Sequence, residues 1–252
     1  MTFSLLGIVR RGLSKPFNVI VFRLYQIIVL AANHRLGLWS LASLSAERAV
    51  ARRQSISNRL CVAAESGCQA SEKQLLALKK TAEQVQASRF EIFGHPVPQL
   101  ETCDFSSDWR FKKSWPNQYF KRYGFYVAKE TPYDVKFPWE LSRFHYLIPV
   151  LAWQVVDGVD SRASNWLLAL IRRWRRENPL AYSVNWYPME ASMRSIYLVI
   201  QLDLVKLLRS RETKTEIAAE LDGLARQLLV MLLEHARFVW LTREYTDVRG
   251  NH

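Results

Sequence analysis

Three groups of residues in this sequence have the types and spacing to do chemistry. The first is the run Asp134-Val-Lys-Phe-Pro138-Trp139-Glu140-Leu-Ser-Arg143. Glu140 and Arg143 stand three apart and share a face on a helix, and Pro138 suits a first helical turn. The second is Asn185-Trp186 followed by Glu190 and Arg194. Glu190 and Arg194 are four apart, again on one face, and Asn185 and Trp186 stand just ahead of a helix N-terminus, where amide and indole can face solvent. An aromatic ring beside amide and charged groups is a sugar platform: apolar C–H faces stack on the ring while hydroxyls bind the polar groups. The third is the ending Tyr245-Thr-Asp-Val-Arg-Gly-Asn251-His252. Each group also has a plain structural reading: a surface ion pair, a capping region with a core tryptophan, and a polar tail.

In this order and spacing the three groups, with Asn178-Pro179 between the first two, resemble the N-terminal domain of heparinase II/III-like proteins. Phe90-Glu-Ile-Phe-Gly94 and Asp108-Trp109 fit the segment ahead of that domain's helices. The resemblance covers about residues 89–252. It implies an incomplete (α/α) toroid, followed in the family by an antiparallel β-sandwich, and β-elimination on uronic-acid polysaccharides. In that reaction a base takes the proton α to the uronate carboxylate. The carboxylate must be neutralised for that proton to leave, so amide or cationic donors stabilise the enolate-like intermediate. A Tyr or His moves the protons. The resemblance carries the catalytic roles onto Asn251 (carboxylate binding) and His252 (proton transfer). It carries substrate binding onto Trp139, Glu140, Arg143, Asn185, Trp186, Glu190 and Arg194. It implies acidic polysaccharide as partner and no metal or cofactor. The family's later Tyr and the His of its β-sandwich lie beyond His252, so this chain is expected to be an incomplete toroid, inactive alone and completed by the sandwich domain. The runner-up is a non-catalytic module that binds polysaccharide or serves capsule or exopolysaccharide assembly.

The elements that must position these groups read as helices. Apolar residues recur with helical period over residues 17–32, 72–86, 134–156, 163–176, 188–209 and 215–243. A more polar, basic helix is expected over residues 45–64, carrying Arg48, Arg52, Arg53 and Arg59. In the helix from Pro188 the periodicity puts Met189, Met193, Ile196, Ile200, Leu204 and Leu207 on the core face. Short links imply antiparallel αα-hairpins. Residues 89–125 differ, being rich in aromatics, Asp, Ser and Pro; a short strand is expected over 90–97 and a long loop after it. The expected fold is therefore mainly α: a basic helical arm over 1–87, then the toroid domain over 88–252, with a short β/loop segment near 89–125.

Composition bounds the rest. The chain has 252 residues with a hydrophobic fraction of 49% and nine Trp, enough for a sizeable core and too apolar for disorder. The 35 Lys and Arg outnumber 23 Asp and Glu, a formal charge of +12 that favours an anionic partner. Nucleic acid is disfavoured, because the arginines are scattered and no reading motif is present. Cys61, Cys68 and Cys103 form no zinc pattern; Cys61 and Cys68 are two helical turns apart, too far to bridge. Arg10, Arg11 and Lys15 precede the apolar run from Val19, in the manner of a signal peptide. Arg23 and Gln26 interrupt that run on one helical face, so an amphipathic packing helix is expected, one that leaves peripheral membrane contact open.

Overall fold

A computed structural model describes residues 16–51, 70–124 and 131–243. Eight α-helices follow in order among these residues: α1 (Phe17–Arg35), α2 (Leu38–Ala51), α3 (Glu72–Gln86), α4 (Lys136–Leu141), α5 (Ile148–Asp157), α6 (Ser161–Glu177), α7 (Pro188–Arg211) and α8 (Thr215–Thr242). Between α3 and α4 lie two short antiparallel hairpins. One pairs β1 (Glu91–Ile92) with β2 (His95–Pro96); the other pairs β3 (Ser107–Asp108) with β4 (Lys113–Ser114). The protein is mainly helical with two small two-stranded sheets.

Local chemistry sets most helix ends. Ser71 opens α3 with a capping box: its hydroxyl accepts from the Gln74 amide, and the Gln74 side chain accepts from the Ser71 amide. Asp160 caps α6 through the Arg162 amide. Pro188 occupies the first turn of α7, where a missing N–H costs nothing. Gly158 ends α5 at φ 106°, a conformation open to glycine.

The continuous helix expected over 134–156 is broken. Phe144 adopts left-handed φ 65° and separates α4 from a 3₁₀ turn (His145–Leu147) that leads into α5. Its fully buried ring sits edge-on to Phe105 and Trp174. That packing in the centre of the core stabilises an otherwise unfavourable backbone. The strand expected over 90–97 is the β1–β2 hairpin, turned at Phe93 and Gly94, both at positive φ. The basic helix begins at Leu38 rather than Ser45, and residues 52–64 lie outside the described residues, as do Cys61 and Cys68.

Helices α7 and α8 form an antiparallel hairpin joined by three residues. Helix α6 packs on α8, α5 on α7 and α3 on α5. Helices α1 and α2 also pack on α8. One apolar core runs through all of these, from Leu30, Trp39 and Val85 to Leu151, Trp174, Leu228 and Phe238, and is continuous across the 87/88 boundary. Cys103 is a small buried member of it, its thiol pushed up to about 11 by burial.

Candidate functional site

Four segments meet where the sequence places its chemistry: α4, the turn after it, the connection 178–187 and the start of α7. Arg143 forks onto Glu190, Nε to Oε2 at 2.8 Å and Nη2 to Oε1 at 2.9 Å. Its Nη1 also meets Glu140 at 2.6 Å. The spacing argument paired Glu140 with Arg143 and Glu190 with Arg194. The first pair forms; Glu190 is instead bound by Arg143, 47 residues away in sequence. The Glu190 fork holds the Arg143 guanidinium above its ordinary value, against desolvation.

Arg194 lies behind that pair, fully buried. Its Nη2 donates to the Asn185 carbonyl at 2.8 Å and its Nη1 to the Ser142 carbonyl at 3.3 Å. Its Nε donates to His235 Nε2 at 2.8 Å, and its guanidinium lies 4.5 Å from the Trp174 ring centre. Accepting at Nε2 fixes the tautomer of His235, whose Nδ1–H then donates to the Met231 carbonyl at 2.6 Å. Burial, and then the adjacent Arg194 charge, drive the His235 imidazole well below its ordinary range, so it is neutral. Burial also brings Arg194 down to about 9, opposed by Glu190.

Asn185 and Trp186 do not face solvent as expected. Asn185 is wholly buried and ties two loops together: its amide donates to the Phe105 carbonyl and to Asn178 Oδ1, both at 2.8 Å. Trp186 is 1% exposed; its indole donates to the Asn178 carbonyl and its ring packs on His235 and Phe238. No open ring face remains for a sugar. The indole of Trp139 donates to the Val184 carbonyl, and its ring stacks on Tyr187, centroids 4.8 Å apart. Asn251 and His252 lie outside the described residues.

The groups left half-open at this site are Glu140, Arg143, His145 and Tyr187. His145 Nδ1 is shut off from water with no hydrogen-bond partner; the nearest Glu140 oxygen is 3.8 Å away. Burial lowers the His145 pKa, Glu140 opposing and Arg143 adding. The site thus combines a neutral imidazole able to take up a proton, a fixed guanidinium and an aromatic pair. Its two carboxylates and two guanidiniums cancel, so attraction for a polyanion must come from the wider basic surface. A cavity of about 610 Å3 lies elsewhere, between α2, α6 and α8, with Arg172, Arg175 and Arg176 in its wall. Arg175 is consumed there by Glu234 and Glu47, while Arg172 and Arg176 are exposed.

Two polar arrangements escaped the sequence reading. Asp108 is buried and accepts a fork from Arg110 and the amide of Asp134. Burial alone would raise its pKa, but these donors win and hold it below the usual carboxylate value. His235 is the other: nothing local in the sequence marks it as the acceptor for Arg194. Comparison with family models, curated proteins and solved structures gives no match.

Proposed function

We propose that this chain is the helical part of a heparinase II/III-like lyase that handles uronic-acid polysaccharide by β-elimination. One observation carries the reading: residues of separate motifs, Trp139, Glu140 and Arg143 in the first and Asn185, Glu190 and Arg194 in the second, come together in one cluster. The toroid arrangement is part of the same proposal. Antiparallel helices in succession support it, as does an outward apolar face on α7 and α8 (Met189, Ile196, Ile200, Leu233) suited to a further helical layer.

In this reading direct contact falls on the half-open rim. Tyr187, backed by Trp139, offers a ring to the sugar; Arg143 offers charge toward the carboxylate; His145 is positioned for a proton. Asn185, Trp186, Glu190 and Arg194 hold that rim from behind. Asn251 and His252 keep the roles the resemblance assigns. A second reading, a binding module without catalysis, is favoured by the complete burial of Asn185, Glu190 and Arg194.

The test offers the purified chain a panel of uronic-acid polysaccharides, with a neutral glucan and DNA as controls. Binding is measured by calorimetry and unsaturated product by ultraviolet absorbance. Product that disappears in Asn251→Ala supports the lyase and overturns the expectation that the chain is inactive alone. Selective binding without product, weakened about tenfold by His145→Ala or Tyr187→Ala, supports the half-open rim as the binding surface, as expected of the module and of a toroid inactive alone. Binding to no uronate polymer, or equal binding to DNA that both variants leave intact, overturns both.

A further inference from the structure

Helix α1 is amphipathic in the wrong sense for a packing helix. The face it buries carries Val19, Gln26, Leu30 and Asn33, half of it polar. The opposite face, at i, i+4, i+7 and i+11, carries Phe17, Val21, Leu24 and Ile28, exposed at 81%, 46%, 55% and 67%. Four large apolar side chains in one stripe are costly to leave in water.

Cations and amphipathic aromatics border this stripe. On one flank Arg243 lies 3.9 Å from the ring centre of the exposed Trp240 and 5.1 Å from that of Phe22, and Tyr25 lines the same crevice. Arg23 is on the other flank. Lys121 lies near enough to Arg23 to feel its charge, and Lys121 and Arg122 follow Tyr119, whose hydroxyl donates to the Leu30 carbonyl. Burial lowers the Lys121 ammonium below its ordinary value, and the nearby Arg23 charge adds to that. Arg35 closes the C-terminal end, and Arg10, Arg11 and Lys15 precede the helix in sequence. Among the described residues no ion pair uses Arg23, Arg35, Lys121, Arg122 or Arg243.

An apolar stripe rimmed by cations, with Trp and Tyr between the two, matches the layering of an anionic bilayer surface: acyl chains, interface, phosphate. We infer that the Phe17–Ile28 face of α1 docks the protein onto an anionic membrane surface, lying in the plane of the interface. By length and composition this 19-residue helix is also long and apolar enough to cross a membrane. Its inner face argues for the in-plane position. The Gln26 amide donates to the carbonyls of Leu241 at 3.1 Å and Arg243 at 2.9 Å, capping the end of α8, and Asn33 accepts from Arg237. Crossing would break those bonds and carry both polar side chains into hydrocarbon. The outward face of α7 and α8 differs: the crevice between them is lined by Ser192 and Ser195, and its one cation is Arg243, shared with the α1 rim.

The inference is independent of the polysaccharide reading, and its test needs no sugar. The full chain is mixed with vesicles of phosphatidylcholine alone or with phosphatidylglycerol, and co-flotation is measured. We expect binding to the anionic vesicles and little to the neutral ones. The double variant Leu24→Ser/Ile28→Ser keeps the charge and removes the apolar insertion; binding should fall about tenfold or more. In Phe17→Trp, brominated lipid should quench the new fluorescence, and alkaline carbonate should release the protein. A double variant that binds as well as the parent would reduce the contact to charge alone and overturn the inference. Resistance to carbonate would show a spanning helix, and a dimer in sedimentation that the double variant dissociates would make a second copy the occupant; either result also overturns it.

Discussion

Among the residues, Arg143 and Glu190 have the most at stake. The Glu190 side chain is 1% exposed, and removing its partner leaves a carboxylate in the core. Arg143→Met should cost about 3 kcal/mol in denaturant unfolding, because breaking a buried pair costs far more than the pair contributes. Adding Glu190→Leu removes the stranded charge and should restore most of that loss. A double variant less stable than the single one would contradict this account. The neighbouring His235 makes a second prediction. Its imidazole is depressed from an ordinary 6.5 and stays neutral when folded. On acidification below 6.5 the unfolded chain takes up that proton and the folded one does not. Stability contributed by this group is therefore complete above 6.5 and falls as pH drops, by about 1.4 kcal/mol per unit. His235→Gln keeps an acceptor for Arg194 and a donor for Met231 while removing the titration. Its stability curve should be flatter below 6.5 than that of the parent; equal slopes would mean that His235 is not the group responsible.

At the level of elements, helix existence was legible and helix orientation only partly so. The starts of α3 and α7 match the periodicity, and a capping box and a first-turn proline mark them in sequence. The face of α7 differs from the expected one over its first half. Met189, Ile196 and Ile200, expected in the core, are exposed, while Leu207 is buried as expected. The buried stripe is Glu190, Arg194, Leu198, Gln201, Val205 and Leu208. Apolar periodicity selects the wrong face because three of these positions are polar. Their partners, Arg143, His235 and the Phe144 carbonyl, come from other segments that a single helix's pattern cannot disclose. The break at Phe144 was hidden for the same reason, since only tertiary packing stabilises its left-handed backbone. Gly158 is the opposite case, a stop that is visible in sequence. At φ 106° and ψ 164° it occupies a region that L-residues avoid, and an added Cβ would meet no atom within 4 Å. Gly158→Ala therefore isolates the backbone cost, expected at about 1–3 kcal/mol of stability. A variant as stable as the parent would show that the α5–α6 turn relaxes.

For the whole molecule, the question is whether the helical arm folds on its own. The sequence reading drew a boundary at residue 87 because composition shifts there, yet three ties run across it. Trp39 is fully buried and packs on Phe238. Gln26 caps the end of α8. Arg175 on α6 holds Glu47 and Ser43 of α2 together with Glu234 of α8, at 2.6, 3.1 and 2.9 Å. Glu234 is 3% exposed on its side chain, so it depends on Arg175 for charge balance, and Ser43 donates to it as well. Separating the arm would expose Trp39 and Phe238 and strand a buried carboxylate, costs comparable with the total stability of an ordinary domain. The arm and the remaining helices should therefore unfold together. Native-state hydrogen exchange should give amides around Trp39 and Leu228 the same opening free energy. Arg175→Met should lower both by about 3 kcal/mol, because the residue that binds the arm also belongs to the core. If the Trp39 amides opened several kcal/mol below those of Leu228, or if the variant lowered only the arm, the boundary at 87 would separate two folding units and the shared core would not be what couples them.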